Sequence, residues 1–560
     1  MAARLPSFSS SIARWHADEA PVGSPLNDAE VLALRRTRLF GAAGTVLMAI
    51  GALGVGARPV VQDPTFGVRL LNLPSRIQTV SLTMTTTGAV MMALAWLMLG
   101  RFALGDRRMS RSQLDRLLWL WVLPLLIAPP MYSRDVYSYL AQSEIAGRGL
   151  DPYKVGPAPG LGLDHVFTLS VPNMWRETPA PYGPLFLWIG EGISALTGEN
   201  IVAAVLCHRL VVLLGVGLIV WAVPRLARRC GVAEVSAMWL GAANPLLLMH
   251  LVAGIHNEAL MLGLMLAGTE FALRGVDARD PLLPRPLTWP RGADGWARWY
   301  PMTMLLVGVV LITMSSQVKL PSLLALGFVA MALACRWGGT VKAFLLAGGS
   351  LGAVSVAVMG LIGWASGLGF GWLFTLGTAN VVRSWMSLPT LLALGTGQVG
   401  ILLGLGDHTT AILGLTRAMG VSIIAVLVSW LLLLVLRGRL HPVGGLGVAL
   451  GVTVLLFPVV QPWYVLWAVL PLAAWATRPA FRTTTIIVTL AVGIFGPTAN
   501  GDRFTLFQIL LAVAASTVIA LALIALTYNR LPWRATIAPA DSPPAPAPQP
   551  ARPDAYAESP

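Results

Sequence analysis

The chain has 560 residues, 56% of them hydrophobic and only 11% charged, with a mean hydropathy of +0.71, a balance that excludes a soluble globular protein. The formal net charge of +14 comes from Lys and Arg scattered through short loops with no dense basic tract, which excludes nucleic acid as the partner and fits the loop bias of membrane proteins. Continuous apolar runs of roughly 20 residues, the length that crosses a bilayer, recur without the alternation of barrel strands, so the fold class is all-α and polytopic.

Taken in order, residues 1–38 form a cytoplasmic N-terminal segment, 39–530 a transmembrane domain and 531–560 a cytoplasmic tail. Met1 to Asn27 has no apolar core of the signal-peptide kind, so the first span is expected to act as the targeting signal. Arg35, Arg36 and Arg38 hold the N-terminus inside, and the first helix, Leu39 to Gly56, runs outward. The second, Val80 to Leu99, returns to Arg101, Arg107, Arg108 and Arg111. The third, Leu117 to Ala128, then delivers Met131 to Tyr153 to the outer face. A long outer loop follows, reaching Asn200. Its apolar stretch Tyr182 to Leu196 is expected to lie at the interface, because counting it as a crossing would put Arg225, Arg228 and Arg229 outside.

The fourth helix is Ile201 to Val223, and the fifth, Val235 to Val252, emerges at Gly254-Ile-His-Asn-Glu258. The sixth leads to an inner loop with Arg274, Arg279, Arg285, Arg291 and Arg298, the seventh exits at Lys319, and the eighth re-enters to Arg336. The ninth, Val341 to Gly363, opens a second outer segment through Arg383 and Trp385, from which the tenth returns to Arg437 and Arg439. The eleventh emerges at Pro458 to Tyr464, the twelfth ends at Arg478 and Arg482, the thirteenth exits at Asn500 to Arg503, and the last finishes near Arg530. About fourteen crossings with both termini inside follow from apolar length and arginine placement. From Ala538 the Pro/Ala-rich tail has too little apolar content to fold. Cys207, Cys230 and Cys335 lie in or inside the membrane and make no disulfide framework.

This topology gathers ionisable residues at one face: Asp135 with Arg134, His208 with Arg209, His256 with Glu258, Lys319 and Arg383. Charges at membrane depth are expensive and point to function. Each also has an ordinary role. Asp135 is a good N-cap for a helix beginning at Val136, Lys319 and Arg209 can snorkel, and Trp463, Tyr464 and Trp467 fit an aromatic belt as well as a stacking surface for a sugar. No phosphate-binding loop, HExxH or Cys/His metal spacing occurs, and no loop is long enough for a soluble nucleotide-sugar domain.

Arg134-Asp-Val-Tyr-Ser-Tyr139, Gly149-Leu-Asp-Pro-Tyr153, Tyr182-Gly-Pro-Leu185, Gly254-Ile-His-Asn-Glu258, Lys319-Leu-Pro321 and Pro462-Trp-Tyr464 follow the order seen in membrane glycosyltransferases of the C-type fold. More narrowly, the chain resembles the mycobacterial and corynebacterial polyprenol-phosphomannose-dependent α-(1→6)-mannosyltransferases. The resemblance implies a polyprenyl-phosphate-mannose donor, a mannosylated phosphatidylinositol or similar glycolipid acceptor, and a role in the lipomannan and lipoarabinomannan core at the outer face of the plasma membrane. It implies Asp135 as catalytic base, and a leaving phosphate held by Lys319, His256, Arg209 and Arg383. Arg134, Tyr137, Glu258, Trp463 and Tyr464 are the expected substrate contacts. The residues assign no cofactor. No metal-binding acidic pair stands beside Asp135, although a divalent metal stays open. The competing expectation is a transporter or flippase of polyprenyl-linked sugars, which calls for repeated halves and midplane charges.

Overall fold

The computed structural model describes residues 15–20, 23–278, 294–495 and 504–533. Most of these residues are helical, as hydrocarbon demands of a backbone that has to satisfy its own polar groups. Helix α1 (Asp28–Val55) starts well before Leu39, because Asn27 and Glu30 close a reciprocal cap: each side chain accepts from the other's backbone N–H at 2.8 Å. A short α2 (Arg69–Arg76) leads into α3 (Gln78–Leu104), which packs along α1. A Cβ on Gly44 of α1 would stand 2.7 Å from the Gly88 carbonyl oxygen of α3, so this crossing depends on small residues.

Helix α4 (Arg111–Ile127) is followed by the long connection, which is folded rather than open. It contains α5 (Asp135–Gly147) and α6 (Pro184–Thr197). The latter is the apolar stretch at Tyr182. At about 1.5 Å per residue it reaches roughly 21 Å, too short to cross, and it packs on α5 and on α7 (Ile201–Arg229).

The expected fifth span is broken. Helix α8 (Glu234–Leu240) stops, and a π-helical turn, Leu247–Ala253, takes over. Pro245 has no N–H to continue the ladder. Asn244 fills in, its amide donating to the Leu240 carbonyl at 3.0 Å and accepting from the Leu246 N–H at 2.9 Å.

Helices α9 (Glu258–Asp277), α10 (Asp294–Ser316), α11 (Leu324–Arg336) and α12 (Val341–Ala365) follow as expected. The tenth span resolves into two helices, α13 (Leu388–Leu402) and α14 (Thr409–Leu436), because Gly404 and Gly406 turn the chain at φ 73° and 89°. Then come α15 (Pro442–Leu456), α16 (Val465–Ala473), α17 (Pro479–Phe495) and α18 (Leu506–Thr527).

Among the described residues eight helices are long and apolar enough to cross a membrane alone, and the remaining apolar ones are shorter. The protein is all-α and polytopic, with several of the expected crossings made of short or broken segments. Strand structure among the described residues is a two-residue parallel bridge, Ser24–Pro25 with Arg107–Arg108. Arg279, Arg285 and Arg291, the turn at Asn500 to Arg503, residues 1–14 and the tail from Ala538 lie outside the described residues.

At one end of the bundle Arg101 donates to the Trp533 carbonyl at 3.0 Å, Arg229 pairs with Glu270 at 3.1 Å and Arg482 pairs with Glu19 at 2.6 Å. Asp135 lies at the other.

Candidate active site

Asp135 is the first residue of α5. The cap position belongs to Arg134, whose side chain makes no capping bond, and the Asp135 N–H donates to Ser133 Oγ at 3.0 Å. The capping role expected for its carboxylate is therefore not made. That carboxylate is 25% exposed and lines a cavity of about 1340 Å³ together with Arg134, Glu258, Lys319, Arg383, Trp463 and Tyr464. The cavity continues between apolar side chains of long apolar helices, among them Leu82 and Val90 of α3, Ile424 of α14 and Ile509 of α18, and of the shorter α17 at Ile494.

Lys319 follows α10 in an extended backbone, φ −156° and ψ 126°, before Leu320-Pro321 turns into α11. Its position depends on α6. The Gly183 N–H donates to the Val318 carbonyl at 3.3 Å, and a Cβ on Gly183 would lie 2.2 Å from the Gln317 carbonyl oxygen. The glycine of the Tyr-Gly-Pro motif is thus a contact that no side chain can replace. The lysine ammonium pairs directly with Glu258 Oε1, donates to the Tyr464 hydroxyl at 2.9 Å, and sits 4.4 Å from the centre of the Tyr464 ring.

Burial pushes the Asp135 carboxyl up. The Ser133 hydroxyl opposes this, Glu258 adds to the rise and Lys319 resists it, leaving the group at about 6. A carboxylate in that range is ionised at neutral pH and still basic enough to take a proton. Burial works against the charge on Lys319, but the neighbouring Glu258 and Tyr464 reverse it and raise its pKa above the usual lysine value. The ammonium stays charged.

Three expected residues stand off the cavity wall. Arg209 is buried and donates to the Ala128 carbonyl at 2.7 Å and to the Leu126 carbonyl. These carbonyls are left open where α4 ends, so both terminal nitrogens of its guanidinium are directed at the helix terminus, away from the cavity wall. Tyr137 is buried, with its hydroxyl donating to the Ala57 carbonyl. His256 is 0% exposed and lies behind the wall. By contrast, Trp463 and Tyr464 are on the wall with 5% and 8% exposure, and Trp467 stacks on Tyr464 at 4.2 Å. Aromatics so enclosed form a cavity surface and not a lipid-facing belt. Arg383 is exposed on the wall, and Arg134 donates to the Ser170 carbonyl at 3.0 Å.

Tyr139 and Tyr182, which belong to the quoted motifs, are not among the expected substrate contacts. Both line the cavity, with rings edge to face at 5.1 Å. The signal for Tyr139 was available, since it stands one helical turn after Asp135 and shares its face. Trp175, Arg176 and Trp385 also reach the wall, and nothing in the local sequence of a long loop announces that. Among the described residues no group of three His, Cys, Asp or Glu side chains is gathered to hold a metal ion.

Comparison with known proteins bears on this site. A family described as α-(1→6)-mannopyranosyltransferase, N-terminal domain, matches residues 38–335, and one described as MptB C-terminal domain matches residues 389–525. A probable α-(1→6)-mannopyranosyltransferase of Mycolicibacterium smegmatis is 82% identical over 100% of both chains. An α-(1→6)-mannopyranosyltransferase of Mycobacterium tuberculosis is 72% identical over 100% of both. The α-(1→6)-mannopyranosyltransferase B of Corynebacterium glutamicum is 40% identical over 82% of this chain and 76% of its own. No solved structure matches. Most of the cavity wall falls within the matched stretches, with Leu376 and the run from Val382 to Met386 lying between them, and the transporter alternative gives way to an enzyme: the chain is a membrane glycosyltransferase belonging to the α-(1→6)-mannopyranosyltransferase family.

Proposed function

We propose that this protein transfers mannose from a polyprenyl-phosphate-linked mannose to an α-(1→6)-mannan growing on a glycolipid, at the outer face of the plasma membrane. One observation carries the proposal: Asp135, Lys319 and Arg383 share a single cavity that runs on between the apolar faces of spanning helices. A donor with a lipid tail and an anionic sugar phosphate needs both parts. The tail lies in the apolar part, and the phosphate meets the two cations, which also stabilise it as it departs.

Asp135 takes the proton of the acceptor hydroxyl as the acceptor oxygen bonds to the anomeric carbon and the bond from that carbon to the phosphate oxygen breaks. The departing polyprenyl phosphate needs no proton. One available carboxylate suits a single displacement with inversion, because a double displacement calls for a second carboxylate about 5–5.5 Å away as nucleophile. Glu258 does not offer one: it is 1% exposed and engaged by Lys319. Trp463 and Tyr464 supply faces for a sugar ring, and Arg134 is a further wall residue within reach of substrate. A mannosylated phosphatidylinositol or similar lipid fits as acceptor. The arginine-rich end of the bundle is read as cytoplasmic, which turns the cavity outward.

The test uses full-length protein in lipid nanodiscs with polyprenyl-phosphomannose and a short α-mannoside, comparing wild type with Asp135→Asn. Transfer is expected in wild type and a loss of at least about 100-fold in the variant. A folded variant that transfers at the wild-type rate removes Asp135 from the chemistry.

A further inference from the structure

His256 is enclosed, yet neither of its ring nitrogens has a hydrogen-bond partner among the described residues. Buried polar atoms are rarely left so. Its Nδ1 is 3.5 Å from Asp135 Oδ2, and its ring stacks on Trp463 with centroids 3.5 Å apart and an interplanar angle of 21°. Trp463 separates it from the cavity on one side, and His250 stands behind it at 6.3 Å.

The backbone that brings the two residues together is unusual. Tyr132, just before Asp135, has φ 66°, and Ile255, adjacent to His256, has φ 58°. A β-branched residue in the left-handed region is a genuine outlier, held only where surrounding structure over-determines it and found most often at functional sites. The two loops are joined directly, the Met131 N–H donating to the Ala253 carbonyl at 2.9 Å.

We propose that His256 is the positioning residue of the catalytic carboxylate: its Nδ1–H holds Asp135 Oδ2 and leaves Oδ1 to meet the acceptor hydroxyl. This rests on Asp135 being the base. The observed separation is long for a hydrogen bond, and such contacts in substrate-free sites commonly tighten when substrate binds. The imidazole does not compete for the proton. Burial, reinforced by Lys319, holds its pKa well below the usual histidine value, so the neutral ring acts as a fixed donor with its tautomer set by the carboxylate. Asp135 is also faced by Ser133, Glu258, Lys319, Tyr139, Tyr182 and Tyr464.

A donor to the charged form lowers a carboxyl pKa, so its removal raises it. In His256→Phe, which keeps a ring on Trp463, the Asp135 pKa is expected to rise by about one unit. This is read from the protonated-carboxyl infrared band that disappears in Asp135→Asn, a measurement needing no substrate. The acid limb of kcat/KM moves up by the same amount, and kcat falls about tenfold with little change in KM. His256→Asn places an amide N–H where Nδ1 stood and restores both pKa and rate. His256→Gln places it nearer Nε2 and does not. These two variants decide the matter even if the Phe variant fails to fold. An unmoved infrared pKa in His256→Phe, or Asn and Gln variants that behave alike, overturns the positioning role. Failure of the base assignment shows separately, as transfer by Asp135→Asn.

Discussion

The ion pair at the cavity wall makes a quantitative demand. Glu258 is 1% exposed and Lys319 19%, and replacing Glu258 by Gln leaves a largely buried ammonium without its paired carboxylate, its bond to the Tyr464 hydroxyl remaining. Breaking a buried pair from one side costs about 3–5 kcal/mol. The water that reaches Lys319 screens part of this, bringing the expected loss to about 2–3 kcal/mol. Lys319→Met strands the more deeply buried carboxylate and costs at least as much. The double variant strands neither, so its loss falls short of the sum by a coupling of about 2 kcal/mol. Unfolding free energies of the four proteins in mixed micelles measure this cycle. A coupling within about 0.5 kcal/mol of zero, the scatter expected of independent sites, refutes the ion pair. The same variants carry an independent signature. Glu258 raises the Asp135 pKa and Lys319 lowers it, around a value of about 6. A base has to be deprotonated to act, so the acid limb of kcat/KM moves to lower pH in Glu258→Gln and to higher pH in Lys319→Met. Two shifts of one sign refute the electrostatic account even if stability behaves as expected.

Three other substitutions probe the frame. Gly183→Ala drives a Cβ into the Gln317 backbone, 2.2 Å from its carbonyl oxygen; the turn before Lys319 has to shift, and KM for the donor is expected to rise about tenfold or more in steady-state assays. Arg209→Met removes the donor to the Ala128 carbonyl and is expected to lower the unfolding free energy by about 1–3 kcal/mol while leaving donor KM unchanged; a rise in KM alone would return this arginine to the substrate. Lys154, 80% exposed near the cavity end, tests orientation: with Cys207, Cys230 and Cys335 replaced by Ser, Lys154→Cys is expected to react with an impermeant thiol reagent on intact cells. Reaction only after permeabilisation puts the cavity on the cytoplasmic side.

Fold class and most helices were legible because hydrocarbon imposes a length and a composition on every crossing. Where the expectation failed, the cause was local. Asn244-Pro245 interrupts the fifth span after α8, and Gly404 and Gly406 split the tenth between two apolar helices. Asp135, Lys319 and Arg383 were legible as charges near the membrane boundary, since the energy of placing them there shows in the sequence alone. What such a charge faces does not show. Arg209 and Lys319 look alike as lone cations beside apolar runs, yet one finds the open carbonyls of α4 and the other a carboxylate on a cavity wall. That difference is set by where neighbouring helices end. His256 carries the point further. Its relation to Asp135 depends on left-handed backbone at Tyr132 and Ile255 and on the π turn before Gly254, none of which side-chain pattern encodes. Charge therefore locates a site in sequence. The roles within it follow from helix ends and strained turns, which is why the same Gly-Ile-His-Asn-Glu stretch yields a cavity residue in Glu258 and, two positions earlier, a histidine behind the wall.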